Sequence, residues 1–301
     1  GKCPTVFEDG SVNVLTAETT NGYLCRAQDD YGESYYYRGN VTNNYVKFAN
    51  FYWRIVRVNG NGTLRVIYDG KSAHANGSSS DKKIGSSQFN SSSGSPAYVG
   101  YMYGDTNGTT YDEVHKNTNS STIKKYIDTW YENNIKDTQY EQYLADNIFC
   151  NDRSLVSGYG FGQNVSNYTF EFNNFFYSKV YHLNFICQQQ NDSFTVNDSV
   201  GNKALKYPIA LIEAQTVTLA GGYSTVNNSF YLASTSYNYW TMTPTYFNSS
   251  MKIKVIRNDG NVFDDNVASY QWGYKVRPVI NLKAGSLTIG DGTISNAYRV
   301  S

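Results

Sequence analysis

The chain is expected to adopt an α+β fold with a mixed or antiparallel sheet, two or three helices and long irregular loops. Three observations carry that expectation. Short runs of β-branched and aromatic residues, punctuated by Asn-Gly and Asp-Gly pairs, crowd the two ends of the chain, at residues 34–70 and 207–282. A helical period of apolar residues is confined to residues 121–149. Between these lie Ser-, Gly- and Asn-rich stretches with no period, which read as loops. At 301 residues the chain can bury a large core, and no clean linker divides it, so residues 1–301 are read as a single elaborated domain.

Residues 1–30 read as an irregular lead-in closed by a disulfide. Ser34 to Asn40 (SYYYRGN) and Tyr45 to Gly70 then carry strand signals. Phe51, Trp53 and Ile55 share one strand face, Leu64, Val66 and Tyr68 share one face of the returning strand, and Asn59 to Gly62 closes the hairpin. Residues 71–121, with GSSSDKK and NSSSGS as polar extremes, read as a long surface excursion held down by Tyr98, Tyr101 and Tyr103. The period changes at Ser121. Ile123, Tyr126, Ile127 and Trp130 follow helical spacing behind a Ser120 or Ser121 cap, and Tyr140, Tyr143, Leu144 and Ile148 repeat it, predicting two amphipathic helices within 121–149. Residues 151–192 return to irregular structure around the Phe170 to Tyr177 aromatic cluster. YPIALI, at Tyr207 to Ile212, reads as a buried strand, and the helix through EAQTVTLA is terminated by Gly221-Gly222. The tail, SLTIGDGTISNAYRV, reads as one last pairing segment.

The stretch from Tyr237 to Leu282 is read as three strands joined by polar, aromatic-rich loops. Asp259-Gly260 sits between Val255-Ile256 and Val262-Phe263, and such a pair supplies the positive φ angles of a tight hairpin turn. Around it stand Tyr237, Tyr239, Tyr246, Asn248, Asn258, Asn261, Phe263, Asp265, Tyr270 and Trp272, the candidate ligand-binding residues. Paratopes use this mixture of rigid aromatics and short, adaptable hydrogen-bonding side chains. Tyr246, Phe263, Tyr270 and Trp272 are the expected anchors, within a ligand-presenting region of residues 207–282. The plainer reading is a solvated surface hairpin, with Phe263 and Trp272 in the core.

Composition narrows the function classes. Twenty-five basic residues balance twenty-five acidic ones, so no basic footprint points to nucleic acid or to an anionic membrane. No apolar run approaches the roughly 20 residues needed to span a bilayer, so membrane attachment is expected only through an anchor outside this sequence. The opening Gly1-Lys2-Cys3 reads as a processed boundary. The four cysteines, Cys3, Cys25, Cys150 and Cys187, show neither CxxC spacing nor a nearby pair of His, which disfavours zinc and redox motifs and favours disulfides. Three pairings are open, of which Cys3 with Cys25 and Cys150 with Cys187 is the most local. Each loop so closed would stabilise the fold by roughly 3 to 4 kcal/mol. Persistent disulfides need an oxidising compartment, which places the chain outside the cytoplasm, at the cell surface. Asn-x-Ser/Thr sequons, such as those at Asn40, Asn61, Asn107, Asn167 and Asn248, would be glycosylated in a eukaryote, but follow from Asn- and Ser-rich composition alone.

No enzyme, cofactor or metal is expected. His74, His115 and His182 have no nucleophile elbow beside them, and HExxH, P-loop and dinucleotide motifs are missing. Glu171, Glu213, Asp264 and Asp265 are the carboxylates that would have to meet in space for glycoside hydrolysis. Asp264-Asp265 with Asn261 offers oxygen ligands for calcium, against which stands the plainer solvated acidic turn.

The blocks GESYYYRGNVTNNYVKFANFYWRIVRVNGNGTLRVIYDG, FCNDRS, GNKALKYPIALI, LAGG, YWTMTPTYF and KVRPVINLK, in this order, resemble a family of secreted or cell-surface proteins from gut Firmicutes and their wall-less relatives. Members often follow a pilin-like or other surface-targeting N-terminus, and the resemblance covers nearly the whole chain. The closing pattern, a Trp-containing strand, a variable hairpin and a VRPVINL strand, is also similar to the C-type lectin-like fold of formylglycine-generating-enzyme relatives and of the variable proteins of diversity-generating retroelements. The resemblance implies an exchangeable face near Tyr237, Tyr239, Tyr246, Asn248, Asn258, Asn261, Phe263, Asp265 and Tyr270, with Trp240, Pro244, Gly273, Arg277 and Pro278 as scaffold. The chain lacks the Glu-Pro-Asn, Gln-Pro-Asp and Trp-Asn-Asp tripeptides of calcium-dependent lectins, and has no cysteine after Cys187 to build a copper site. The function so implied is an extracellular adhesin-type module whose partner is a host or microbial surface protein or glycan. The alternative is a self-associating subunit of a surface filament or pilus, and a carbohydrate-active enzyme is the remaining reading.

Overall fold

The computed structural model describes residues 2–14, 19–78, 80–158, 170, 182–223, 227–247, 250–269 and 274–301. It is an α+β fold built on two principal sheets. Their strands, in chain order, are β1 (Gly22–Asp29), β2 (Gly32–Gly39), β3 (Tyr45–Phe48), β4 (Phe51–Val58), β5 (Leu64–Gly70) and β6 (Gly85–Ser86) in the first third. β7 (Ile209–Ala210), β8 (Tyr239–Phe247), β9 (Met251–Ile256), β10 (Val262–Asn266), β11 (Lys275–Val276) and β12 (Val279–Leu282) follow towards the end.

The larger sheet runs β7-β12-β5-β4-β2-β1, with β3 also paired to β4. All of its ladders are antiparallel. Strand β12 lies between β7 and β5, in register Ile280 to Val66, so strands from both ends of the chain share this sheet. The smaller sheet runs β10-β9-β8-β11-β6 and is antiparallel except where Tyr239 of β8 meets Lys275 of β11 in parallel. Buried apolar side chains of both sheets and of the helices at Thr122–Asn134 and Ala214–Ala220 belong to one contiguous cluster.

Helix α1 is the short Tyr111–Val114, α2 is Thr122–Asn134 and α3 is Ala214–Ala220. Ser121 caps α2 by accepting from the Lys124 N–H, as its position before the apolar period requires. The helical spacing buries Ile123, Ile127 and Tyr131. Trp130 packs its ring against Phe51, Trp53 and Tyr68 at 5.3, 6.2 and 5.8 Å between centroids, laying α2 on β4 and β5. Gly221 ends α3 at φ +130, and the Gly222 N–H reaches back to the Val217 carbonyl at 2.9 Å.

Three expectations are corrected. Residues 1–30 are not an irregular lead-in throughout, since Gly22–Asp29 pairs along its whole length with β2 as the outer strand of the larger sheet. The second helix within 121–149 is only a single 3-10 turn, Glu141–Tyr143. Beyond α2 the chain turns through Asp137 at φ +60, and strand edges then take its backbone groups: the Ala145 N–H donates to Asn281 O at 2.8 Å and the Lys283 N–H to Tyr143 O at 2.8 Å. A ladder supplied by a preformed strand outcompetes a short, isolated helix. Residues 71–121 are not a surface excursion, because Lys82, Phe89, Val99 and Tyr101 are all buried. Sparse apolar anchors hold the polar chain down. Trp240 donates its indole N–H to Ser87 O at 2.8 Å and meets the Phe89 ring edge-on, while Gly85 and Ser86 pair with Val276 and Lys275. Tyr101 is fully buried, whereas Tyr98 and Tyr103 remain half-buried.

The tail does pair. Tyr298 exchanges backbone hydrogen bonds with Tyr45 and Lys47 at 2.9 and 2.8 Å. Cys3 bonds to Cys25 and Cys150 to Cys187, the most local of the three pairings. Of the expected Phe170 to Tyr177 cluster only Phe170, fully buried, falls among the described residues. Among the described residues, no helix is long and apolar enough to cross a membrane.

Candidate functional site

The hairpin of β9 and β10 forms an edge of the smaller sheet, in register from Ile256 opposite Val262 to Lys252 opposite Asn266. At its turn the Arg257 N–H donates to Asn261 O at 2.8 Å and the Gly260 N–H to Arg257 O at 2.9 Å. Of the Asp259-Gly260 pair only Gly260 has positive φ, at +82; Asp259 instead accepts the Asn261 N–H on its side chain at 3.0 Å. The loop is therefore the longer hairpin connection with one left-handed glycine rather than the two-residue turn. Its tip is fastened from behind, where the Asn227 N–H donates to Asp259 O at 2.9 Å.

Strand alternation gives the hairpin two unlike faces. On one, Lys254 stands opposite Asp264 with Nζ 2.5 Å from Oδ1, the lysine fully buried. On the other, Phe263 is 48% exposed, and the Arg257 guanidinium lies 5.3 Å from its ring centre. Asp265 shares the Phe263 side and accepts the Tyr274 hydroxyl. Burial, followed by that hydrogen bond, pushes the Tyr274 hydroxyl well above its ordinary range, so it stays a donor at any physiological pH. Tyr274 is bedded edge-on against the fully buried Trp240 at 4.8 Å. Asn238 accepts the Asn258 N–H at 2.9 Å. Together Asn238, Arg257, Phe263, Asp265 and Tyr274 line an open recess of about 270 Å³. It offers one aromatic surface, one unburied guanidinium, an amide and a carboxylate on a rigid backing, a set suited to holding a polar ligand by stacking and hydrogen bonds.

The structure brings Asn258, Phe263 and Asp265 together here. Asn261 is half-buried within the turn and its strand neighbour Val262 donates to Tyr223 O at 3.1 Å. Tyr246 lies at the far end of the hairpin, half-buried, accepting from Lys252 Nζ at 3.0 Å. Tyr237 and Tyr239 are corrections: both are buried, and no ligand reaches them from the surface. β8 is an interior strand with β9 and β11 on its two sides, so Tyr239 points into the core, donating to Leu232 O at 2.8 Å with the Arg277 guanidinium 4.8 Å from its ring. Asn248, Tyr270 and Trp272 lie outside the described residues, as does Gly273 of the expected scaffold. Trp240, Pro244, Arg277 and Pro278 are buried, as scaffold residues should be. Sequence reasoning missed Arg257, Asn238 and Tyr274. A signal for Arg257 existed: two residues beyond Val255, it shares the face of Phe263, which stands opposite Val255.

Among the described residues, the other chemistry that the sequence raised does not assemble. Asp264 and Asp265, adjacent on a strand, face opposite sides and are held by Lys254 and Tyr274, so they do not converge on a cation. Among the described residues no three His, Cys, Asp or Glu side chains group as metal ligands. Glu213 is buried; burial alone would raise its carboxyl, but Arg65, 2.6 Å away, and Arg57 hold it below the usual range. Its carboxylate is taken up by Arg65, the Cys150 N–H and the Thr216 hydroxyl, and Glu171 lies outside the described residues. His74 pairs with Asp81 at 3.2 Å. Burial, then Arg153, hold the His115 imidazole well below its ordinary value and thus neutral. Ser11 lies 2.9 Å from His182 Nδ1, yet its hydroxyl donates to Asp9 at 2.6 Å, and Asp9 is 3.6 Å from the same nitrogen. A hydrolytic relay needs serine and carboxylate on different ring nitrogens, so this cluster is not one. Comparison with known proteins returns no match: no family model, no curated protein and no solved structure matches the chain.

Proposed function

We propose that the chain is an extracellular recognition module of adhesin type, binding a host or microbial surface protein or glycan at the Asn238–Arg257–Phe263–Asp265–Tyr274 recess. One observation carries the reading: Phe263 is 48% exposed, with the Arg257 guanidinium 5.3 Å from its ring centre and also 3.8 Å from the Asp259 carboxylate, on a hairpin whose backing is otherwise buried. Exposed aromatics and arginines on a rigid support are the usual anchors of binding surfaces. The two disulfides favour an oxidising compartment and hence the outside of the cell. The run from β8 to β12, with a buried Trp240 strand, a presenting hairpin and a final core strand, is what favours a C-type lectin-like arrangement of the family described above. The reading is of binding without turnover, and release of sugar from a glycan panel at catalytic protein concentration would overturn it.

The test is binding of Phe263→Ala and Arg257→Ala to glycan and surface-protein panels, beside an Asn261→Ala control. Each of the first two is expected to weaken binding by about 1 to 3 kcal/mol, roughly 5- to 150-fold, with melting temperature nearly unchanged. Undiminished binding by both variants would place the ligand elsewhere.

A filament subunit is the second reading, and one observation favours it. β1 is the outer strand of the larger sheet, and Leu24 on it and Tyr35 beside it are 51% and 40% exposed, an apolar patch on an edge able to pair with a neighbour. Sedimentation at high protein concentration decides it: a monomer throughout removes the filament reading.

A further inference from the structure

β6 is the outermost strand of the smaller sheet, and Tyr126 of α2 lies against it. Its hydroxyl is 3.5 Å from the Ile84 carbonyl and fills space that any side chain at Gly85 would take. Trp130 follows one helical turn later, so the two rings share a face of α2. Tyr126 is 36% exposed, and Trp130 is half-buried although it packs against the rings of Phe51, Trp53 and Tyr68. Both rings line an open cavity of about 450 Å³ that also reaches Ser87, just beyond β6. That volume lies within the range of small-molecule sites, about 300 to 1,000 Å³.

The rest of the lining is polar, and its hydrogen bonds are part spent. Ser87 Oγ donates to Gln88 O at 2.7 Å, Thr122 Oγ1 to Asn90 Oδ1 at 3.3 Å and Thr129 Oγ1 to Lys125 O at 2.9 Å. Each hydroxyl has thus committed its proton and keeps only acceptor capacity, in a fixed direction. Lys125 and Asn133 supply the donors, both exposed on the same cavity. The acids near them on α2 are taken, Asp128 by Lys124 at 2.5 Å and Glu132 by Lys206 at 2.7 Å, so the Lys125 ammonium holds no ion pair among the described residues. The complementary ligand is apolar across its middle and carries hydroxyls around its rim. A pyranose ring is such a body: its C–H bonds present a weakly positive face to the negative face of an aromatic ring, and its hydroxyls both donate and accept. An apolar side chain from a protein partner would instead cover these oxygens, the amide and the ammonium without replacing their water, at a cost for each.

We propose that the cavity between α2 and β6 is a pyranose-binding site, where one sugar ring of a glycan stacks on Tyr126 and Trp130 while its hydroxyls bond Thr129, Lys125 and Asn133. Both aromatic rings are already placed, Trp130 by three ring contacts and Tyr126 by its seat over Gly85, so stacking on them costs little rotamer entropy. The site is continuous with the backing of the recess. The Ser87 N–H donates to Tyr274 O at 3.3 Å, and Ser87 O accepts the Trp240 indole N–H at 2.8 Å, while Tyr274 lines the recess itself. The two sites nevertheless have no lining residue in common, and each stands or falls without the other.

The experiment is titration of the whole chain with short oligosaccharides of glucose, galactose, mannose and N-acetylglucosamine, read on the indole N–H signals of its four tryptophans by NMR. Each probe is taken to about 10 mM, where a site with a Kd of about 1 mM is nearly filled. The expected result is a saturable shift of the Trp130 signal, assigned from Trp130→Phe, with at least one probe. Tyr126→Ala and Asn133→Ala should each weaken that binding about tenfold at unchanged melting temperature, and Phe263→Ala should leave it as it is. Should the Tyr126 variant fail to fold, Asn133→Ala decides alone, its side chain being exposed. A Trp130 signal indifferent to every probe, or a shift that survives Asn133→Ala at full affinity, overturns the proposal. So does a shift lost in Phe263→Ala, which would put the sugar in the recess, or a partner protein that covers Trp130 equally well after its glycans are removed.

Discussion

The hairpins β4–β5 and β9–β10 are built on the same turn and put it to opposite uses. In both, five residues close the loop with the same pair of hydrogen bonds: Asn59 N–H to Thr63 O and Gly62 N–H to Asn59 O in one, Arg257 N–H to Asn261 O and Gly260 N–H to Arg257 O in the other. In both the glycine sits at φ +82. Equivalent positions then diverge. Asn59 is buried, bonding Thr63 and Asn281 through its amide, where the second hairpin has the exposed Arg257. Arg65 is 1% exposed and paired with Glu213, where the second hairpin has Phe263 at 48%. Charge is inside and the aromatic ring outside, the reverse of what solvation alone prefers. A turn's backbone thus says little about its role; what surrounds its side chains separates a hairpin that holds the fold from one that presents a surface.

The largest expected effect falls on the buried hairpin. Glu213→Ala leaves the Arg65 guanidinium buried and unpaired, and should lower unfolding free energy by about 3 to 5 kcal/mol in chemical denaturation. The double change Glu213→Leu with Arg65→Met removes both charges and should recover most of that loss. If the single variant unfolds as the parent does, Arg65 is not the internal strut that distinguishes the first hairpin, and the contrast between the two collapses.

Both turns were legible in the sequence because glycine after Asn or Asp between β-branched runs has a local cause. The same holds for α2 behind Ser121 and for α3 before Gly221-Gly222, where cap and period coincide. What sequence could not reach is decided at long range. The spacing of Tyr140, Tyr143, Leu144 and Ile148 is helical, yet Leu144 and Ala145 are claimed by β12, a strand more than 130 residues away in sequence. Lys82 sits in a run as polar as any surface loop, and its burial is offset by Asp69, 3.8 Å away and more than ten residues earlier, against the like charges of Arg54 and Arg277. For the recess, aromatic and amide content pointed to the right hairpin but not to the right members. Tyr239 and Phe263 have similar local surroundings in sequence, and their difference is that β8 has a neighbour on both sides while β10 has one. Arg257 was passed over because a charged residue beside a turn is ordinarily just solvated.

The two glycines sharpen the comparison at the next level of effect. A Cβ at Gly62 would meet only the Ala284 methyl, at 3.5 Å, so Gly62→Ala should cost only the left-handed backbone strain, about 1 kcal/mol. A Cβ at Gly260 would fall 2.0 Å from Asn227 O, which no side-chain adjustment relieves. Gly260→Ala should therefore cost at least about twice as much as its counterpart, by strain plus loosening of the tip from residue 227. It should also weaken ligand binding, since Arg257 and Asn258 are positioned by that tip. Equal costs in equilibrium unfolding would mean that the presenting hairpin is not fastened from behind.

The smallest stability effect is expected at the residue with the largest proposed role. Phe263 keeps nearly half of its surface in water, so Phe263→Ala gives up little buried area and leaves a notch open to solvent rather than an internal cavity. The loss should stay within about 0.5 to 1 kcal/mol, a fraction of that at Glu213. The Arg257 contact that goes with it is itself solvent-facing. A surface aromatic that contributes so little to folding and exposes so much apolar area has its natural use in contact with another molecule. Measured side by side, Glu213→Ala and Phe263→Ala should separate by at least about 2 kcal/mol in denaturant titrations. A Phe263 variant as unstable as the Glu213 variant would show that the ring is part of the core, and the recognition surface would then have to be sought on another face of the molecule.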